Sequence, residues 1–273
     1  MLEKIDLEAV VAIAKEAGDA IMKIYAQDFA VEYKDDKSPL TEADKVSHNI
    51  IVNALNALPV THHASPIPVL SEEGREIPYE ERKGWEYYWC IDPIDGTKEF
   101  IKKNGEFTVN IALIHNDTPV LGVVYAPALG DMYMAKQGEG AYKSVLSATG
   151  SVLRKERLPL KENTTPEKSL VVVASKSHLS AETQEYIDVV ARSTEHITRI
   201  SKGSSLKLCM VAEGEADVYP RLAPTMEWDT AAADAVVRES GKMTYQYTPD
   251  MSEELPMVYS KADLLNPWFV VKG

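Results

Sequence analysis

Trp89-Cys90-Ile91-Asp92-Pro93-Ile94-Asp95-Gly96-Thr97 is the stretch around which this 273-residue chain is organised. The apolar run over residues 87–91 reads as a buried strand that feeds directly into two aspartates. Proline is rarely found inside a central strand, so the chain is expected to leave the sheet at Pro93 with both carboxylates at the strand's mouth. Gly96 permits a tight turn, which would leave the N–H groups of Gly96 and Thr97 to bind an anion. Two acids, a turn and free N–H groups suit hard cations and a phosphate. The competing reading is an ordinary acidic turn, since Asp, Pro and Gly are common turn residues.

The bulk properties narrow the field. A hydrophobic fraction of 45% is ordinary for a globular protein, and no segment has the length of a membrane span. The net charge of -13 argues against DNA, RNA or an acidic membrane surface as partner. A small phosphorylated substrate stays compatible, because a bound divalent metal reverses the local field. The start of the chain lacks the basic and apolar regions of a signal peptide. The two cysteines, Cys90 and Cys209, sit in apolar surroundings and read as reduced thiols. Together these point to the cytoplasm, with peripheral contact at the inner face of the cell membrane left open.

Outward from the central stretch, residues 7–26 have the apolar spacing of an amphipathic helix. A polar loop over residues 35–40 precedes a helix opened by Thr41-Glu42-Ala43-Asp44. Taken alone, Asp44 reads first as the partner in a capping box and second as an acid delivered to a site from a helix start. His62-His63 do not share a helical face and read as a connecting loop, not a metal site. Residues 67–70 read as a short strand ending in Ser71-Glu72-Glu73-Gly74, which is either a charged turn or a second pair of acids at a strand end. Residues 76–84 are charged and read as a flexible surface segment. Strands follow over residues 107–114 and 120–125 and continue as an antiparallel meander, with Gly138-Glu139-Gly140 as a hairpin turn.

Residues 144–168 are polar and read as an irregular boundary between an N-terminal lobe (about 1–143) and a C-terminal lobe (about 169–273) of one domain. In the second lobe strands and helices alternate, which argues for a layered α/β sheet. Ser175-Lys176-Ser177-His178 follows a strand, and Gly203-Ser204-Ser205-Leu206-Lys207 opens a helix, so both suit anion binding. A solvated Lys207 and an exposed or structural His178 are the plain alternatives. Glu227-Trp228-Asp229-Thr230-Ala231-Ala232 starts the last helix, with Asp229 either an N-cap or a ligand.

Taken together, these stretches resemble the inositol monophosphatase superfamily of metal-dependent, lithium-sensitive phosphatases. The likeness rests on the Glu72-Glu73 pair, on Trp89 to Thr97, and on Trp228-Asp229-Thr230-Ala231-Ala232, in that order. It runs from the first helix to the end of the chain. Ser71-Glu72-Glu73, the stretches over 95–101 and 104–113, and Gly203 to Lys207 are most similar to bacterial 3′(2′),5′-bisphosphate nucleotidases of the CysQ type. Ala233, and Ser240-Gly241-Lys242, depart from the family pattern, but they fall away from the carboxylates.

The resemblance implies an α/β fold, an α+β N-terminal lobe and an α/β C-terminal lobe in a layered αβαβα sandwich. It implies two or three Mg²⁺ ions held by Glu72, Asp92, Asp95, Asp229 and the carbonyl of Ile94. Asp92 would bridge two ions, with Glu72 on one and Asp95 and Asp229 on the other. Asp44, Thr97 and Glu72 would hold and deprotonate the attacking water, and Gly96 and Thr97 would orient the phosphate. The nucleotide would meet Ser175, His178, Gly203, Lys207 and Asp229, with Arg221 near its 5′-phosphate. The implied reaction is removal of the 3′-phosphate from adenosine 3′,5′-bisphosphate, and also from 3′-phosphoadenylyl sulfate, in sulfur metabolism. An inositol or sugar phosphate substrate is the alternative, and a catalytically silent metal- or nucleotide-binding regulator is the remote one. Monomer and homodimer remain equally open.

Overall fold

The computed structural model describes residues 1–33, 39–59, 61–62, 65–147, 150–161, 169–175, 180–192, 194–249 and 254–273. The loop expected over 35–40 lies outside these up to residue 38, as do His63 and His178. Helix α1 (Leu7–Tyr25) buries Val10, Ile13, Ala14, Ala17 and Ile21 along one stripe. Asp6 caps it by accepting the Glu8 N–H at 3.0 Å. Strands β1 (Val31–Tyr33) and β2 (Pro39–Thr41) pair antiparallel and deliver the chain to α2 (Glu42–Ala57). A minimal pair, β3 (Thr61–His62) and β4 (Ser65–Pro66), follows α2.

The large sheet comprises β5 (Val69–Ser71), β6 (Tyr87–Asp95), β7 (Thr108–His115), β8 (Thr118–Ala126), β9 (Asp131–Lys136), β10 (Gly140–Leu146) and β11 (Val152–Arg157). These run in sequence order across the sheet, and only β5 lies parallel to its neighbour, β6. Short helices α3 (Tyr79–Arg82) and α4 (Thr97–Ile101) flank β6. A five-stranded sheet holds β12 (Ser169–Ala174), β13 (His196–Ser201), β14 (Val218–Arg221), β15 (Met243–Gln246) and β16 (Phe269–Lys272) in the order β13-β12-β14-β16-β15. The remaining helices are α5 (Ala181–Ala191), α6 (Leu206–Glu213) and α7 (Glu227–Glu239).

These elements stack in five layers. Helices α1 and α2 cover one face of the large sheet, and their apolar stripes meet Trp89, Ile91, Ile111 and Val123 there. Helices α6 and α7 fill the space between the sheets. Tyr186 and Ile187 of α5 close the outer face of the smaller sheet. The middle layer is tight: a Cβ added at Gly122 of β8 would lie 2.1 Å from the Ala232 carbonyl oxygen, so only glycine lets α7 approach this closely. The expected αβαβα sandwich is therefore present. Among the described residues, no helix is long and apolar enough to cross a membrane.

Three expectations need correction. The chain does not leave the sheet at Pro93, because β6 continues to Asp95 through a register shift against β7. Strand β5 pairs with β6 only as far as Ile91, so Pro93 stands on a strand with a neighbour on one side and its missing N–H costs no ladder bond. Residues 76–84 do lie at the surface, but Arg82 anchors them there. Arg82 of α3 is buried, and its guanidinium donates to the carbonyls of Ile77 (3.3 Å), Lys261 (2.5 Å) and Ala262 (2.7 Å). Within the expected irregular boundary, Val152–Arg157 is an edge strand, its charged side chains facing water while its backbone pairs with β10.

Candidate active site

The register shift in β6 is the device that gathers the acids. Asp92 pairs with Asn110, and Asp95 with Thr108, so Pro93 and Ile94 stand opposite Val109 alone and β6 accommodates one extra residue. Asp92 is buried, and its Oδ1 accepts the Ile94 N–H at 3.0 Å, which stabilises the bulge locally. Asp229 enters from the first turn of α7, where its Oδ2 accepts the Met226 N–H at 2.8 Å. It thus serves as a helix-capping acid while one carboxylate oxygen each of Asp92, Asp95 and Asp229 lies within 4.8 Å of the others. Glu72 follows β5: its N–H donates to the Ile91 carbonyl at 3.2 Å, and its carboxylate shares a hydrogen bond with Asp92.

Such crowding has an electrostatic consequence. Burial, and then the charges of Glu72, Asp95 and Asp229, hold the Asp92 carboxyl well above the usual carboxylate range. Burial raises Asp95 as well, opposed by the nearby charge of Lys207. Burial and the Asp95 charge push Asp229 up to about 8. Four acids arranged this way are a poor set alone and a good one around a cation. Their all-oxygen donor set fits a hard divalent ion such as Mg²⁺.

The pH dependence of stability follows in sign. A carboxyl raised on folding keeps its proton where the unfolded chain has lost it, so its contribution is complete below about 4 and lost as pH rises through the folded value. For Asp229 that window runs from its ordinary value of 3.8 to about 8. The metal-free protein is expected to lose melting temperature between pH 6 and 8.5, and Mg²⁺ to raise it more at pH 8.5 than at pH 6. Calorimetry at the two values, with and without Mg²⁺, checks this. Equal Mg²⁺ effects at both would contradict the coupling.

Beside the acids lies a second pair. Asp44 closes the capping box of α2: its Oδ2 accepts the Thr41 N–H at 2.8 Å and the Thr41 hydroxyl at 2.6 Å. Its other oxygen, Oδ1, accepts the Thr97 hydroxyl at 3.3 Å. The two readings left open for Asp44 are therefore compatible, one for each oxygen. Burial raises the affinity of Asp44 for a proton, against the lowering effect of the Thr41 bonds. The Ser47 hydroxyl donates to the Pro93 carbonyl at 2.8 Å and fastens α2 to the β6 bulge. Gly96 adopts φ 91° at the start of α4, and a Cβ there would lie 2.1 Å from Ser204 Oγ. Thr97 follows it in the first turn, so both N–H groups lie at a helix start.

The later part of the chain lines the cleft as well, from the ends of β12 and β14 and the start of α6. Ser175, Gly203, Lys207 and Arg221 line the same cleft as Glu72, Asp95, Gly96, Thr97 and Asp229. Lys207 is not a solvated surface charge. It is buried, its Nζ donates to the Ser204 carbonyl at 2.6 Å, and it lies 5.5 Å from the centre of the Tyr219 ring. Burial brings its pKa down to about 8, with the Asp95 charge working against that. Arg221 ends β14, and its Nη2 donates to the Pro224 carbonyl at 3.0 Å. Ser204 and Ser205 belong to the stretch expected to bind an anion, with no individual role apparent in the sequence. Both contact Asp95: the Ser204 hydroxyl donates towards its carbonyl at 2.8 Å, and the Ser205 N–H donates to its carboxylate at 2.6 Å. A pair of hydroxyls between a strand end and a helix start was the signal available.

Comparison with known proteins places this geometry in context. The model of the inositol monophosphatase family matches residues 2–266. A 3′(2′),5′-bisphosphate nucleotidase CysQ of Escherichia coli O157:H7 is 44% identical over 97% of this chain and 98% of its own length. The protein of the same name from Salmonella typhimurium is likewise 44% identical, over 97% of this chain and 98% of its own. The crystal structure of CysQ from Bacteroides thetaiotaomicron superposes with a TM-score of 0.82 at 46% identity, covering 98% of this chain and 96% of that one.

Proposed function

The chain belongs to the inositol monophosphatase family, and from that premise we propose that it is a 3′(2′),5′-bisphosphate nucleotidase. It hydrolyses the 3′-phosphate of adenosine 3′,5′-bisphosphate, giving AMP and inorganic phosphate. The observation that carries the substrate is the shared cleft, which Lys207 and Arg221 line together with the clustered acids. A monophosphate needs only the acids and their cation. A bisphosphate brings a second anion, and a buried lysine whose charge is costly to desolvate is repaid by meeting it.

Glu72, Asp92, Asp95, Asp229 and the Ile94 carbonyl would hold two or three Mg²⁺ ions. Bound there, Mg²⁺ supplies Lewis-acid polarisation of the phosphoryl oxygens and neutralises charge developing on the leaving group. The chain's own residues do the rest. Thr97 Oγ1 gives its proton to Asp44 Oδ1 and accepts one from the attacking water, so the water's proton passes to a carboxylate that burial has made more basic. Glu72, beside Asp92, would assist. The new bond forms from the water oxygen to phosphorus as the bond to the 3′-oxygen breaks, and that oxygen leaves protonated by solvent. Gly96 and Thr97 direct N–H groups at the phosphate. Ser175, Gly203, Lys207 and Arg221 receive the nucleotide side, and His178 belongs to the same reading although it lies outside the described residues.

Phosphate release with Mg²⁺, measured for adenosine 3′,5′-bisphosphate and inositol 1-phosphate at matched concentrations, tests the proposal. A preference of about 100-fold or more in kcat/KM for the nucleotide is expected, roughly 2.7 kcal/mol of discrimination. Lys207→Ala should then raise KM for the nucleotide about 10-fold, roughly 1.4 kcal/mol, while leaving KM for inositol 1-phosphate nearly unchanged. Preference for inositol 1-phosphate would overturn the substrate and keep the acids' role.

A further inference from the structure

Ser205 occupies a position with more partners than its single hydroxyl can serve symmetrically. It is 1% exposed and stands immediately before α6. Its Oγ receives the Asn110 Nδ2–H at 2.7 Å and lies 2.8 Å from both Asp95 Oδ2 and the Asp229 carbonyl oxygen. A serine hydroxyl has one proton, and Asn110 already fills a lone pair. The proton must therefore point away from β7, towards the two acid-bearing elements. The Ser205 N–H donates to the same Asp95 Oδ2 at 2.6 Å, so Ser205 holds that oxygen whichever way its hydroxyl turns, and Oδ1 is left for the cage. Asn110, also 1% exposed, is the residue registered opposite Asp92 on β7.

We infer that Ser205 and Asn110 are positioning residues that fix the Asp95–Asp229 spacing for cation binding and tie it to the turn carrying Lys207. The inference rests on the cage reading given above. Four elements meet at the hydroxyl: β6 through Asp95, β7 through Asn110, α7 through Asp229 and α6 through Ser205 itself. Bulk water does not reach it, so no solvent molecule replaces a lost bond. Ser204 reinforces the tie: with φ 52° its hydroxyl bridges the Asp95 and Glu106 carbonyls at 2.8 and 2.7 Å. The backbone from Gly203 to Lys207 is thereby anchored to the acid cluster at successive residues. A substrate anion that meets Lys207 pulls on the same turn that orients Asp95.

The test is Mg²⁺ binding without substrate, by titration calorimetry and by the Mg²⁺-induced rise in melting temperature, on the full chain, Ser205→Ala, Asn110→Ala and the double variant. Partners of this kind set metal affinity by about 10- to 100-fold, and that loss is expected for Ser205→Ala. Its kcat should return to within about threefold of the parent at saturating Mg²⁺, a split that general loosening of the fold would not produce. Because Asn110 acts through the Ser205 hydroxyl, the double variant should bind Mg²⁺ no more weakly than Ser205→Ala. Unchanged Mg²⁺ affinity in Ser205→Ala overturns this inference alone, and so do additive losses in the double variant. Absence of Mg²⁺ binding by the parent chain overturns it together with the cage. Should Ser205→Ala fail to fold, Asn110→Ala carries the same test, since it leaves the Ser205 N–H bond to Asp95 in place.

Discussion

Asp92→Asn is expected to lower kcat/KM by about 1000-fold or more at millimolar Mg²⁺, about 4 kcal/mol of transition-state stabilisation, without destabilising the metal-free protein. The two effects separate because the substitution is nearly isosteric. An asparagine Oδ1 still accepts the Ile94 N–H, which is 3.0 Å from the present Oδ1, so the bulge survives. Its amide can donate to Glu72 in place of the hydrogen bond the two carboxyls now share. What disappears is one negative charge from a buried group of four. In the metal-free chain that charge is a liability, since burial and three neighbouring carboxylates raise its pKa far above normal. Melting temperature without metal should hold or rise, most clearly near pH 8, where the acids would otherwise have to ionise together. With Mg²⁺ the order reverses: the parent gains more, because its cage carries the extra charge. Near-parent activity in this variant would remove Asp92 from the metal site. A large drop in metal-free stability would show that the bulge depends on the carboxylate itself.

The sequence was informative where chemistry and local geometry coincide. Asp95 stands at a strand end and Asp229 at a helix start, positions that the apolar runs mark, while their role as ligands is implied by the family resemblance alone. The capping box at Thr41 and Asp44 is legible in the sequence, but the division of labour is not: one oxygen of Asp44 serves the box and the other faces Thr97. Legibility failed where the deciding partner is distant. Whether Pro93 ends a strand depends on how far β5 extends, which nothing near Pro93 records. Arg82 resembles any charged surface residue until the carbonyls of Lys261 and Ala262, roughly 180 positions later, fold over it. Residues 152–157, Val-Leu-Arg-Lys-Glu-Arg, lack the alternation of a strand because an edge strand with exposed side chains needs none; the free edge of β10 supplies the reason to extend. Lys207 illustrates the converse. Its residue type suggested solvent, but the helix face it occupies turns towards Tyr219 and Asp95.

Asp44→Asn should cost about 10²- to 10⁴-fold in kcat, the range for a lost general base, while leaving Mg²⁺ affinity untouched. Asp44 reaches towards the cluster through Thr97, whose hydroxyl lies 3.3 Å from Asp44 Oδ1 and 3.4 Å from the Ile94 carbonyl. With asparagine oriented so that its oxygen keeps the two Thr41 donors, the amide nitrogen faces Thr97. A donor then stands where an acceptor is required, and the Thr97 proton has nowhere to go. Capping survives, so the stability loss should stay below about 1 kcal/mol. The pH profile separates this from misfolding. In the parent, kcat/KM should fall on the acid side as Asp44 takes up a proton, at a pH above the usual carboxylate range because burial raises it. That limb should vanish in Asp44→Asn, and Thr97→Val should reproduce the loss while Thr97→Ser restores most of the rate. A Mg²⁺-binding defect equal to that of Asp92→Asn would instead place Asp44 among the metal-holding acids, and the proton would then need another acceptor.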